Sequence, residues 1–236
     1  MKKKKIIELI EDAKSRNLKS FSLNFRKIKD IPPEIGGLTD IQYLNIAGNK
    51  LKSLPIEIFN LNKLEKLELN GNALTNIPKE IEKLENLKEL NLSYNNLENL
   101  PCELYSLKKL HLLLLNVNDL TEISNGIGNL SNLKELNLSY NKLERIPDEM
   151  GFLRNLEVLN LLNNKLTKLP QNITKLKNLK TLEIFGNHIA EVPDKLANLI
   201  TDNLKISDDD NKIEVDNSFV DQGDLDGLLD LYDEDE

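Results

Sequence analysis

The chain of 236 residues holds two histidines, His111 and His188, and one cysteine, Cys102. A metal site, a proton relay or an activated nucleophile would have to draw on these three side chains and on the carboxylates. Their placement supplies none of these. No histidine neighbours Cys102, which directly follows Pro101, so nothing in the sequence lowers the thiol pKa. The run Asp208-Asp209-Asp210 begins like a calcium loop. Lys212 then stands where an oxygen ligand belongs, and no glycine follows at the required place, so the stretch reads as a solvated acidic linker. Glycine-rich phosphate loops, HExxH and GxSxG are absent. The expectation is a protein that is not an enzyme and carries no metal and no cofactor.

The chemistry left over is recognition, and its candidate residues break a pattern. Residues 111–118 read HLLLLNVN, whereas the comparable stretches 88–95 and 65–72 read KELNLSYN and EKLELNGN, with apolar and polar residues alternating. Aligning the chain on itself explains what is comparable. Segments of 23 residues begin at Leu18, Ile41, Leu64, Leu87, Leu110, Leu133, Leu156 and Leu179, with the shared pattern LxxLxLxxNxLxxLPxxIxxLxN. Position 9 is asparagine in seven of eight segments: Asn49, Asn72, Asn95, Asn118, Asn141, Asn164 and Asn187, with Arg26 the exception. Position 15 is proline in seven of eight, with Ser124 the exception.

On these residues the chain resembles the leucine-rich repeat family, in its LP-containing intracellular type, which includes Ras-associated and Scribble-like scaffolds, Roco arrays and bacterial repeat proteins. The resemblance covers residues 18–201. It implies an α/β fold: a right-handed solenoid, or horseshoe, with a parallel concave β-sheet, short convex helices and an N-terminal capping helix. Physical chemistry gives the same picture. Side chains alternate across a short strand, so Leu67 and Leu69 point inward while Lys66 and Glu68 point out. The amide of Asn72 can both donate and accept, and a stacked column of such residues can satisfy the backbone of the turns. Pro78 opens the return segment. No repeat can bury its apolar edge alone, so the ends need caps. Ile6, Ile7, Leu9, Ile10 and Ala13 share one helical face and place a capping helix within residues 1–17. Eight repeats then span 18–201, a cap or partial ninth repeat with Leu204 and Ile206 spans 202–216, and an acidic flexible tail spans 217–236.

The outward positions of the strands form a map. Leu113 and Leu115 are core, so Leu112 and Leu114 are surplus and face the concave side. Val117 joins them, Val158 and Leu162 lie two strands along, Phe185 three, and Tyr94 and Tyr140 flank the group. An exposed apolar patch of this kind over repeats 4–8 points to a protein partner, unless the tail or a second copy covers it. Lys27, Lys50, Lys142 and Lys165 form a broken basic edge that could steer an acidic partner. Nucleic acid does not fit. Residues 202–236 hold 14 acidic and 2 basic residues against a total net charge of −8, leaving the body at only +4. No apolar run reaches membrane-spanning length, and Glu8, Glu11 and Asp12 interrupt the only stretch that starts like a signal peptide. With one cysteine, a cytoplasmic location is expected. The reading is a monomeric protein-protein recognition scaffold. Its alternatives are an inhibitor or immunity-type protein that occludes an enzyme, and a signalling scaffold that binds a small GTPase.

Overall fold

Each 23-residue unit has room for one short strand, one turn and one return. A computed structural model, which describes residues 1–190, Pro193 and 205–207, shows them in that order. The strands are β1 (Ser20–Ser22), β2 (Tyr43–Asn45), β3 (Lys66–Glu68), β4 (Glu89–Asn91), β5 (Leu112–Leu114), β6 (Glu135–Asn137), β7 (Val158–Asn160), β8 (Thr181–Glu183) and β9 (Lys205–Ser207). They form one parallel sheet in strict chain order. Leucine therefore stacks on leucine: Leu67 lies opposite Leu90, and Leu113 opposite Leu136. The step from Leu182 to its partner Ile206 is one residue longer than the 23 that separate earlier partners. Apart from the backbone of β9, the expected cap over 202–216 and the acidic tail over 217–236 lie outside the described residues.

Opposite the sheet the chain makes five-residue 3₁₀ turns, from Pro33–Gly37 to Gln171–Lys175. These are the convex helices, reduced to single turns because a repeat has no residues to spare for more. Proline at position 15 stands just before six of these seven turns in extended backbone, as with Pro78 at φ −60° and ψ 146°. Strands about 4.8 Å apart on one side and wider turns on the other bend the stack into a solenoid. The core between them is almost wholly leucine and isoleucine at 0–7% exposure. Each such fully buried side chain contributes about 2 kcal/mol.

The turns leaving the strands are held by side chains, because the sheet cannot pair their backbone. Asn118 shows how. Its Nδ2 donates to the carbonyls of Leu92 and Leu115 at 2.9 and 3.0 Å, and its Oδ1 accepts the Leu97 N–H at 3.0 Å. The equivalent bonds recur at Asn72, Asn95, Asn141 and Asn164, all buried. Asn49 and Asn187 close the ends of the same column. A second column runs along position 23. There Asn86, Asn132, Asn155 and Asn178 each donate to a carbonyl of the preceding repeat at 2.7–2.8 Å.

At the start, α1 (Lys3–Ser15) buries Ile6, Ile10 and Ala13. It ends in a Schellman motif. Asn17 takes φ +49°, its N–H reaches the Lys14 carbonyl, and the Leu18 N–H reaches that of Ala13. The motif hands the chain straight to the first leucine of the first repeat.

The missing proline at position 15 has a local cause. Ser124 keeps the proline-like backbone, φ −70° and ψ 155°, and its hydroxyl accepts the Gly126 N–H. Tyr105 from the preceding turn is buried against this segment, and a Cβ on Gly126 would meet its ring at 2.6 Å. Burial pushes the Tyr105 phenol up to about 12, opposed by the Ser124 backbone N–H beside the hydroxyl. Proline at 124 would delete that N–H. Ser124→Pro is therefore expected to forgo the gain of about 0.4–1 kcal/mol that proline brings at a compatible backbone. In a Tyr105→Phe background the same change should recover it. Urea unfolding of the four proteins closes that cycle.

Candidate functional site

The candidate site is the solvent face of the sheet together with the turn that follows each strand. Position 4 of β1 to β8 is buried, and positions 3 and 5 flank it on the open side. Leu112 and Leu114 sit there on β5, half-buried, around the buried Leu113. They are less exposed than free surface leucines because in-register neighbours flank them, Glu89 and Glu135 beside Leu112, Asn91 and Asn137 beside Leu114. Val158 on β7 lies on the far side of Glu135 from Leu112. Leu162 and Phe185 occupy the same position in adjacent repeats; Leu162 is half-buried and Phe185 is 42% exposed. The apolar residues are thus not one unbroken patch. Glu135, Asn137, Asn160 and Glu183 are interleaved among them.

Position 8 does something the sequence pattern hides. Every residue in this column has positive φ: Phe25, Gly48, Gly71, Tyr94, Val117, Tyr140, Asn163 and Gly186, between 48° and 68°. Glycine or asparagine suits that backbone, whereas a bulky or β-branched side chain is strained by it. Yet repeats 4–6 hold Tyr94, Val117 and Tyr140 there. Strain of this kind, at roughly 1–3 kcal/mol per residue, clusters where a side chain is needed for another reason. Phe25, 61% exposed, is a further large apolar residue in the column. It lies four repeats from Val117, and a Cβ on Gly48 would strike its ring, which shows that these side chains lean toward the following repeat.

Position 5 shows a second departure. Asn45, Asn91, Asn137 and Asn160 each accept, through Oδ1, the N–H two residues on, which closes the strand end. Leu114 cannot do this, and among the described residues the Asn116 N–H has no partner. Repeat 5 thus forgoes a hydrogen bond worth about 0.5–1.5 kcal/mol to hold a leucine on the open face.

The charged groups divide sharply. Lys66 Nζ lies 3.1 Å from Glu68 and 2.8 Å from Glu89, which raises its pKa, and 5.6 Å from the Tyr43 ring centre. Among the described residues Glu135 and Glu183 have no cation beside them. Burial alone raises both carboxyls above the ordinary range. Glu183 receives the Asn160 amide at 2.5 Å, and Glu135 has no hydrogen bond among the described residues. The basic edge is not brought together. Lys142 is tied to Asp119 at 2.6 Å, while Lys27 and Lys50 stand at one end of the sheet and Lys165 near the other. His111 lies 3.8 Å from Glu89, and His188 is exposed three repeats away. Cys102 is exposed on the convex side, where its hydrogen bond to Glu103 pushes the thiol up, away from a reactive thiolate. Among the described residues no group of three or more His, Cys, Asp or Glu could hold a metal, and no helix is long and apolar enough to cross a membrane.

Comparison with known proteins agrees with this geometry. A family model described as a leucine-rich repeat region matches residues 58–163 and 126–212, and another described as leucine rich repeat matches 16–74. A leucine-rich repeat protein of Leptospira interrogans is 33% identical with a TM-score of 0.72, over 84% of this chain and 56% of that one. The chain thus spans little more than half of that protein's length. The ectodomain of the plant membrane receptor kinase GASSHO1/SCHENGEN3 from Arabidopsis thaliana, in complex with CASPARIAN STRIP INTEGRITY FACTOR 2, is 33% identical with a TM-score of 0.74, over 85% of this chain and 24% of that one. Internalin C2 from Listeria monocytogenes, at 23% identity and a TM-score of 0.76 over 86% and 92%, shares the fold. No curated protein sequence matches the chain.

Proposed function

The chain belongs to the leucine-rich repeat family, and from that premise we propose that it is a monomeric, non-enzymatic recognition module that grips a protein partner with the concave face of repeats 4–8. Leucine-rich repeat domains generally mediate protein–protein interaction and are typically non-enzymatic binding modules. The contact residues in this reading are Leu112, Leu114, Val117, Tyr140, Val158 and Leu162, flanked by Tyr94 and Phe185. We place the repeats in the LP-containing intracellular type, on the proline column and the single cysteine, with the capping helix, eight repeats, C-terminal cap and acidic tail bounded as the sequence suggests. A partner enzyme whose active site faced this surface would be inhibited by it, and a small GTPase held there would be scaffolded.

One observation carries the reading. Repeat 5 keeps Leu114 where four other repeats use an asparagine that closes the strand end. That leucine is held half-buried on the open face at the cost of the strand-end bond, so we read its use as surface recognition. The bound factor on the plant ectodomain supports the use of such arrays for protein ligands.

The test follows from the repeats themselves. Leu114→Asn and Leu162→Ser install residues that sibling repeats already carry at the same positions, as at Asn137 and Ser139. The double variant should fold at least as stably as the parent. It should lose its partner by about tenfold or more in quantitative affinity enrichment, as expected when central apolar anchors are removed. An unchanged enrichment profile from a folded variant would overturn the proposal.

A further inference from the structure

We propose that the partner's contact segment is cationic as well as apolar, presenting two basic side chains, arginines by preference, that seat on Glu135 and Glu183. This rests on the concave-face reading above and names the chemistry of its partner. On the outward strand positions of repeats 1–8 and the residue that follows each strand, the charged residues are one lysine, Lys66, and four glutamates, Glu68, Glu89, Glu135 and Glu183. Lys66 is already shared between Glu68 and Glu89. Among the described residues the uncompensated carboxylates are therefore the two that lie within the apolar zone.

Their positions are specific. Glu135 lies on β6 in register between Leu112 and Val158. Glu183 lies two strands along on β8, two residues before Phe185, and among the described residues the Asn160 amide is its one hydrogen-bond partner. Both are half-buried before any partner arrives, and burial has raised both carboxyls. An occupant that covers Leu112, Leu114, Val158 and Leu162 must cover them as well. Closing an apolar surface over an unpaired carboxylate strips its hydration with nothing in return and is strongly unfavourable. A basic group at each removes that cost, and guanidinium can meet a carboxylate with two hydrogen bonds. Two strand spacings and two residues of rise separate the glutamates by about 12 Å. An extended segment reaches that distance with basic residues about four positions apart and apolar residues between. The same argument works against an acidic occupant, including this chain's own residues 217–236, and against a purely apolar one.

A display library of random short peptides, panned in parallel on three folded full-length proteins, tests this. The wild type should enrich peptides rich in both apolar residues and Lys or Arg. Glu135→Gln/Glu183→Gln, which keeps side-chain shape and removes only charge, should still enrich apolar residues but lose the basic bias. Peptides selected on the wild type should bind this variant about tenfold more weakly by fluorescence polarisation, with a shallower salt dependence. An acidic or uncharged consensus on the wild type, or a basic consensus that survives in the glutamine variant, would overturn the cationic assignment while leaving the concave site intact. Equal enrichment on Leu114→Asn/Leu162→Ser would instead overturn the site itself, and the charge proposal with it.

Discussion

Replacing Asn118 by alanine should destabilise the protein by about 2–4 kcal/mol, although no apolar contact is removed. The figure follows from counting which groups are stranded. Asn118 donates to the carbonyls of Leu92 and Leu115, but each of those carbonyls has a second donor. Asn95 also reaches Leu92, and Asn141 also reaches Leu115. Neither carbonyl is left bare. The Leu97 N–H is, because Asn118 Oδ1 is its acceptor and it lies in a buried turn. The cost is therefore one orphaned donor, at about 1–3 kcal/mol, plus the net value of the lost carbonyl bonds. The sharing predicts a further result. Asn118→Ala combined with Asn141→Ala leaves the Leu115 carbonyl with no side-chain donor, so the double variant should lose more than the sum of the singles. Asn118→Ala combined with Asn187→Ala, three repeats away, should be additive. Urea unfolding of these variants, with hydrogen exchange to locate the loss, measures both. Strict additivity in the adjacent pair would show that each asparagine acts alone.

What the sequence made legible is whatever repeats in type. The leucines at positions 4 and 6 and the asparagines at position 9 announce strand, core and turn, because each column needs one kind of side chain. What stayed hidden is whatever needs a backbone state rather than a residue type. Position 8 is left-handed in every repeat. Gly48, Gly71 and Gly186 are its signal, but Tyr94, Val117 and Tyr140 mask it, since a large side chain does not advertise positive φ. Phe25 escaped for the same reason. The asparagines at position 23 were visible in the pattern but had no assigned work until their bonds to the preceding repeat appeared. Ser124 looked like a bare exception, and its reason lies on the preceding turn, in Tyr105. In the candidate site, Leu112 and Leu114 were legible as surplus because they break an alternation. The weight of Glu135 and Glu183 was not, because a glutamate at an outward strand position looks ordinary. Only register shows that Glu135 stands between two apolar residues with no cation beside it.

Ile10→Asp should unfold one end of the molecule and spare the rest. Ile10 is fully buried on α1, so the substitution places an unpaired carboxylate in the core at a cost of about 4 kcal/mol or more. The helix has little reserve against this. At 13 residues it is marginal alone, its N-cap Lys2 makes no side-chain cap, and Lys3, Lys4 and Lys5 crowd the end of the dipole that repels cations. Docking of Ile6, Ile10 and Ala13 is what holds it, so losing the dock loses the helix. The first repeat then has a core with one open side. Its Arg26 and Ile28 N–H groups are both accepted by Asn49 of the second repeat, so the two repeats are tied at this turn. In a stack where each unit contacts only its neighbours, the damage should decay along the chain. Hydrogen exchange should show protection collapsing in α1, β1 and β2 and staying near wild type in β5 to β7. On the proposed reading, partner binding by repeats 4–8 should persist at temperatures where the first repeat is already open. A uniform fall in protection from β1 to β8 would mean instead that the array opens as one cooperative unit, with the helix guarding the distant candidate site as well as its own end.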